Sequence, residues 1–196
     1  IEIKCNLTEI SEGLFNECVD LKTVNIPNTV TRICDEAFRN CDELKNLVLP
    51  AGVNSIGEYA FYRCDLSGLT ELPQNLAEIG AYAFSGTRIS EITIHDKVTA
   101  ISEHAFDGAE CLYKISLSEG LTSIGASAFA GCVELKNIRI PESVSEIGAD
   151  ALPDSCTLLV IRDSYAHLWA EANDYSFIII SDDPADLMAE GICGTS

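Results

Sequence analysis

The sequence predicts a β-rich α/β solenoid of about seven stacked coils, with a parallel sheet and a C-terminal helix–strand cap. Three observations carry that prediction. Ala-Phe recurs at 37–38, 60–61, 83–84, 105–106 and 128–129, flanked by Leu14-Phe15 and Ala151-Leu152, in steps of 23 residues with one of 22. Five residues before each of these positions stands an isoleucine: Ile10, Ile33, Ile56, Ile79, Ile101, Ile124 and Ile147. Apolar-x-apolar pairs recur in the same phase at Val24/Ile26, Leu47/Leu49, Ile92/Ile94, Ile115/Leu117 and Ile138/Ile140. A repeat of this size cannot bury its own apolar face, so the units must stack into a continuous core.

Each coil follows from its residues. The alternating pairs mark a short strand with one face buried. Pro27, Pro50, Pro73 and Pro141 end it, because proline cannot donate to a ladder. A further apolar column follows at Leu7, Val30, Val53, Leu76, Val98, Leu121 and Val144. Neighbouring strands lie about 4.8 Å apart, so like residues stack on like and seven coils extend about 34 Å. Gly57, Gly80, Gly125 and Gly148 follow the isoleucine column, where they provide either a positive φ or room for close packing.

The chain begins inside a coil, since Ile1 and Ile3 align with Val24 and Ile26. That predicts an uncapped apolar end, either continued by a preceding segment or covered by another molecule in end-to-end contact. Two irregularities fall mid-array. In the third coil Ser67 and Thr70 occupy apolar columns while Leu66 and Leu69 stand one place earlier, which predicts a bulge or register adjustment. In the fourth, the stretch from Ser85 to Ile89 is one residue short, and Thr87 replaces a recurrent cysteine; loop variation is the expected reading.

The repeats occupy residues 1–161, and a cap is expected over 162–180. Ser164 is an N-cap candidate. Tyr165, Leu168, Trp169 and Ala172 share one helical face, with Trp169 as an anchor of the cap. Tyr175 to Ile180 reads as a last strand, and 181–196 as an acidic tail with some helix around Leu187.

Charge excludes whole classes of partner. With 12 basic and 31 acidic residues among 196, the net charge is −19. Nucleic-acid binding needs a basic footprint, so no nucleic-acid partner is expected. Docking on anionic lipid is disfavoured for the same reason. The longest apolar run of note, Phe177-Ile178-Ile179-Ile180, is too short for membrane insertion. Residues 1–30 lack a basic leader with an apolar run.

The nine cysteines form no metal-binding spacing. Cys18, Cys41 and Cys64 stand 23 apart and, with Cys132, follow the aromatic column by three. Zinc knuckles space their ligands by two to four residues. An inward column of free thiols acting as small apolar residues is the expected reading, and an odd total cannot pair completely. Cys5, Cys34, Cys111, Cys156 and Cys193 lie off that column, and a disulfide among them stays open. Glu12, Asp35 and Glu58 would stack as a row of like charge, solvated or bridged by a calcium ion. His95, His104 and His167 have no nucleophile in a recognisable arrangement, and His104 beside Glu103 reads as a surface residue. Phosphate-loop, zinc-protease and hydrolase-elbow motifs are absent. No enzyme, cofactor or resident metal is expected.

The candidate binding surface is the outward side of the strands. Its ligand-binding candidates are Thr23, Asn25, Asn46, Glu71, Glu91, Thr93, Lys114, Ser116, Asn137 and Arg139; Val48 and Leu69 are expected on the same face. Small polar side chains on a rigid sheet suit contact with a protein or glycan; a merely solvated face is the alternative.

The 23-residue pattern L-x-x-I-x-I-P-x-x-V-x-x-I-G-x-x-A-F-x-x-C, best seen from Leu44 to Cys64, resembles the BspA-like class of leucine-rich repeats. The segment from Ser164 through Trp169, Asn173 and Phe177 is similar to the close of such arrays. His95 and Ser118 depart from the pattern at the proline position, and Thr87 and Ala109 at the cysteine position. The resemblance implies a leucine-rich-repeat solenoid, a secreted or cell-surface bacterial protein, adhesion to proteins of a host or neighbouring cell, and no catalytic residues. A structural spacer within a larger surface protein is the second reading.

Overall fold

The computed structural model describes residues 1–3 and 6–181. The expected acidic tail falls, from residue 182 on, outside them, as do Cys5 and Cys193.

The coils stack as the periodicity requires, through two parallel ladders rather than one. The first ladder is unforeseen. It runs through the isoleucine column as β1 (Glu9–Ile10), β2 (Arg32–Ile33), β3 (Ser55–Ile56) and β4 (Glu78–Ile79). It resumes as β6 (Ala100–Ile101), β8 (Ser123–Ile124) and β10 (Glu146–Ile147). Every isoleucine pairs with the next in register, except across the break from Ile79 to Ile101. That break coincides with the coil that is one residue short.

The second ladder lies where the alternating pairs predict it. It contains β5 (Glu91–Thr93), β7 (Lys114–Ser116), β9 (Asn137–Arg139) and β11 (Thr157–Ile161). β5 pairs with β7, and β9 with β11, which also carries the final strand β12 (Phe177–Ile180). In the first coils this side is irregular, with a single bridge from Glu2 to Asn25. The third coil shows the expected adjustment. Leu66 turns to a φ of +46°, Leu69 swings into the core, and Ser67 and Thr70 face solvent. Leu69 therefore leaves the outward face that its position in the repeat assigned to it.

Inside, Phe15, Phe38, Phe61, Phe84, Phe106 and Phe129 form one stack with centroids 5.1–5.5 Å apart and planes within 14°. Offset aromatic pairs of this kind contribute about 0.5–1.5 kcal/mol each beyond area burial. The cysteine column is a set of inter-coil staples. Cys41 Sγ donates to the Phe15 carbonyl at 3.1 Å, Cys64 to Phe38 at 2.9 Å and Cys132 to Phe106 at 3.2 Å. Thr87 turns its hydroxyl to Phe84 of its own coil instead. The seven described cysteines are all free thiols. Burial pushes the Cys132 and Cys156 thiols up to about 12 and raises Cys64 as well.

The glycines after the isoleucine column serve close packing, not a positive φ. A Cβ on Gly80 would stand 2.6 Å from the Gly57 carbonyl carbon. Left-handed backbone occurs instead on both sides of the aromatic column, two residues before it at Gly13, Glu36, Tyr59, Tyr82, His104, Ser127 and Asp150, and two residues after it at Glu17, Asn40, Arg63, Gly86, Gly108 and Gly131. Non-glycine residues tolerate this because their N–H groups reach carbonyls of the next coil: Tyr59 to Ala81, Tyr82 to Glu103 and His104 to Ala126.

The cap is the helix α1 (Tyr165–Ala172), opened by Ser164, whose hydroxyl accepts from the His167 N–H at 3.2 Å. Its buried face is Ala166, His167 and Ala170, not the predicted one: Tyr165, Leu168 and Ala172 are exposed. The two alanines let the helix sit close to the last coil. His167 is tolerated there because Nδ1 accepts from the Asp163 N–H at 3.1 Å and its ring meets Phe177 edge-on. Trp169 does pack partly on the core, tilted against Tyr175 at 5.0 Å.

Candidate functional site

The outward strand face starts from the alternation in β5, β7 and β9. Ile92, Ile115 and Ile138 point inward, so Glu91, Thr93, Lys114, Ser116, Asn137 and Arg139 point out. Register sets Lys114 beside Glu91 and Ser116 beside Thr93, and Asn137 beside Thr157. Glu91 also accepts from the Tyr113 hydroxyl at 3.4 Å. The Arg139 guanidinium is half-buried and paired with Glu119, while its Nε finds no partner. The charge of Arg139 is thus neutralised by Glu119, while Lys114 lies in register with Glu91.

Several of these residues line clefts. Thr23, Asn25 and Asn46 line one, together with Val48, which is 81% exposed. Thr93 and Ser116 line another, joined by His95, Lys97 and Ser118. Glu71 is exposed between them on the bulged coil and lines neither. The structure brings Lys114, Asn137 and Arg139 into neither cleft.

Two contributors to the second cleft escaped the sequence reading. His95 and Ser118 occupy the proline position of their coils, and their departure from proline was the available signal. The Ser118 hydroxyl is buried with no partner in the protein. A third missed residue is Asp65, which is 6% exposed. Its carboxylate accepts from the Ser67 N–H at 3.0 Å and meets Arg88 at 3.8 Å and Lys45 at 4.0 Å. It ties the bulged coil to both neighbours, a structural role.

The other chemical candidates are accounted for by the packing. Asp35 of the acidic row accepts from the Glu58 N–H at 2.8 Å. Among the described residues no group of three or more His, Cys, Asp or Glu is arranged to hold a metal ion. No described helix is long and apolar enough to cross a membrane.

The family model of the BspA type leucine rich repeat region matches residues 1–71 and 33–159, with six copies. The chain belongs to the BspA-type leucine-rich repeats. A leucine-rich repeat protein of Bacteroides ovatus is similar in structure, with a TM-score of 0.70 and 30% identity over 80% of this chain and 44% of that one. A leucine rich cell surface protein of Faecalibacterium prausnitzii gives 0.67 and 28% over 79% and 43%. A T. pallidum leucine rich repeat protein gives 0.53 and 25% over 60% and 56%. The chain spans less than half the length of the first two. No functionally curated protein matches it. The BspA-type repeats account for the Phe stack and the inward columns, and they carry no catalytic constellation onto these residues.

Proposed function

We propose that this BspA-type array is a non-enzymatic recognition module of a secreted or cell-surface bacterial protein, engaging a protein or glycan through its strand face. The cleft at the C-terminal ends of β5 and β7 carries the reading. It presents Thr93 and Ser116 at the ends of two hydrogen-bonded strands, and His95, Lys97 and Ser118 on the segments that follow them. Rigid placement of these groups lowers the ordering cost of binding. The cell-surface description of the Faecalibacterium protein supports the location.

The test is a binding screen of the folded chain against extracellular-matrix proteins and glycans. Ser116→Trp fills the cleft while leaving the buried Ile115 in place, and Lys114→Glu with Arg139→Glu reverses the flanking charge. A ligand that loses about tenfold affinity with Ser116→Trp supports the cleft, a change worth about 1.4 kcal/mol. Binding indifferent to all three substitutions defeats it, and failure of every ligand shifts the assignment to a spacer.

A further inference from the structure

The turns carry a second aromatic column, on the surface. Tyr59 stacks on Tyr82 with centroids 4.6 Å apart and planes within 8°, and Tyr82 stacks on His104 at 4.4 Å and 6°. These three are rungs of the left-handed column that links the coils. At one end the ladder is closed by the protein itself. The Arg39 guanidinium lies over the Tyr59 ring at 5.7 Å, and its Nη1 reaches the Glu36 carboxylate at 3.3 Å.

The other end is open. The rung after His104 is Ser127, and the residues around it, Ala126 and Ala130, are equally small. No ring covers the outer face of His104, whose stacking partner among the described residues is Tyr82 alone. The next rung is Asp150, which is exposed and in no ion pair among the described residues. Two coil spacings, about 9–10 Å, separate these rungs, which is room for one planar group at stacking distance from His104. Asp107, bonded to His104 Nδ1 at 3.0 Å, adds a carboxylate beside the gap.

We infer that this vacant rung is a docking site for an arginine side chain of a basic protein segment, stacked on His104 with its charge between the Asp107 and Asp150 carboxylates. The Arg39–Tyr59–Glu36 arrangement at the opposite end is the same chemistry supplied from within. A guanidinium is flat, stacks on rings and presents paired N–H donors to a carboxylate. The net charge of −19 favours a cationic partner. This surface is independent of the strand-face clefts.

Titration with the peptide acetyl-Gly-Arg-Gly-amide, followed through the His104 ring resonances, tests it. The expected result is saturable binding with a Kd of about 1–10 mM, and about fivefold weaker binding for the lysine and citrulline counterparts. Ser127→Tyr should close the gap and abolish the response; tyrosine is tolerated at that backbone conformation, as Tyr59 and Tyr82 show. Asp150→Asn, on the surface, should weaken binding about threefold or more without touching the core. Equal affinity for lysine, an unchanged response in both variants, or a response at His104 to methyl β-glucoside but not to the arginine peptide would each overturn the assignment.

Discussion

The Cys64 thiol donates a hydrogen bond to the Phe38 carbonyl 2.9 Å away, although 26 residues separate them in the chain. The thiol is therefore both a packing residue and a staple between coils. Cys64→Ala removes buried volume and the bond together, and we expect a loss of about 1–3 kcal/mol in urea unfolding. Cys111→Ala, at an exposed position, should leave the midpoint in place. Equal effects at the two positions would refute the staple.

Burial also governs thiol chemistry. Among the described cysteines, alkylation under native conditions at pH 8, followed by mass spectrometry, should mark Cys111 first, then the half-buried Cys18 and Cys34. Cys64, Cys132 and Cys156, which burial keeps protonated, should react only on unfolding, because the thiolate is the reactive form.

The same burial fixes an alkaline limit. Cys132 and Cys156 hold their protons up to about 12 in the folded state, against an ordinary thiol value of 9.0. Between those values the unfolded chain releases protons that the folded chain keeps, so stability declines as pH rises from about 9 to 12. Below 9 the contribution is fully present. A melting-temperature profile should fall across that window, and less steeply in Cys132→Val with Cys156→Val.

Two glycines separate crowding from backbone strain. Gly80→Ala drives a Cβ to 2.6 Å from the Gly57 backbone and should cost more than about 3 kcal/mol or prevent folding. Gly13→Ala keeps a φ of +60° but meets nothing nearer than 3.9 Å, so its cost should stay near 1 kcal/mol. Thermal unfolding of the two variants distinguishes them, and equal costs would contradict the packing account.

The cap gives a reversal that can be measured. Ala170→Leu inserts volume into the close helix contact and should destabilise by about 1–3 kcal/mol. Leu168→Ser, 54% exposed, should change unfolding by less than about 0.5 kcal/mol.

The apolar columns and the coil number were legible because burial selects residue type at a fixed spacing. Phe38, Ile33 and Cys41 announce themselves that way. The ladder at Ile33 and Ile56 was not, since two residues per coil are too few to alternate. The left-handed column was hidden because glutamate, tyrosine and histidine do not advertise a positive φ; bonds to the next coil impose it. Leu69 misled because the bulge shifts register by one place. The helix face misled because small residues, not large ones, make its contact. Of the candidate site, the outward alternation was readable, whereas the cleft at Ser118 required knowing what lies beside a missing proline.

The bonds from Tyr59 to Ala81 and from Tyr82 to Glu103 point along the axis of the array. A load applied to its two ends therefore pulls on them in series, opening one coil at a time rather than shearing many together. Each released coil of 23 residues would add about 75–80 Å of contour. Single-molecule stretching should show a staircase of that increment at low force, and a single cooperative rupture would contradict it. For a protein tethered between surfaces, such yielding absorbs extension while the coils not yet opened keep their faces intact.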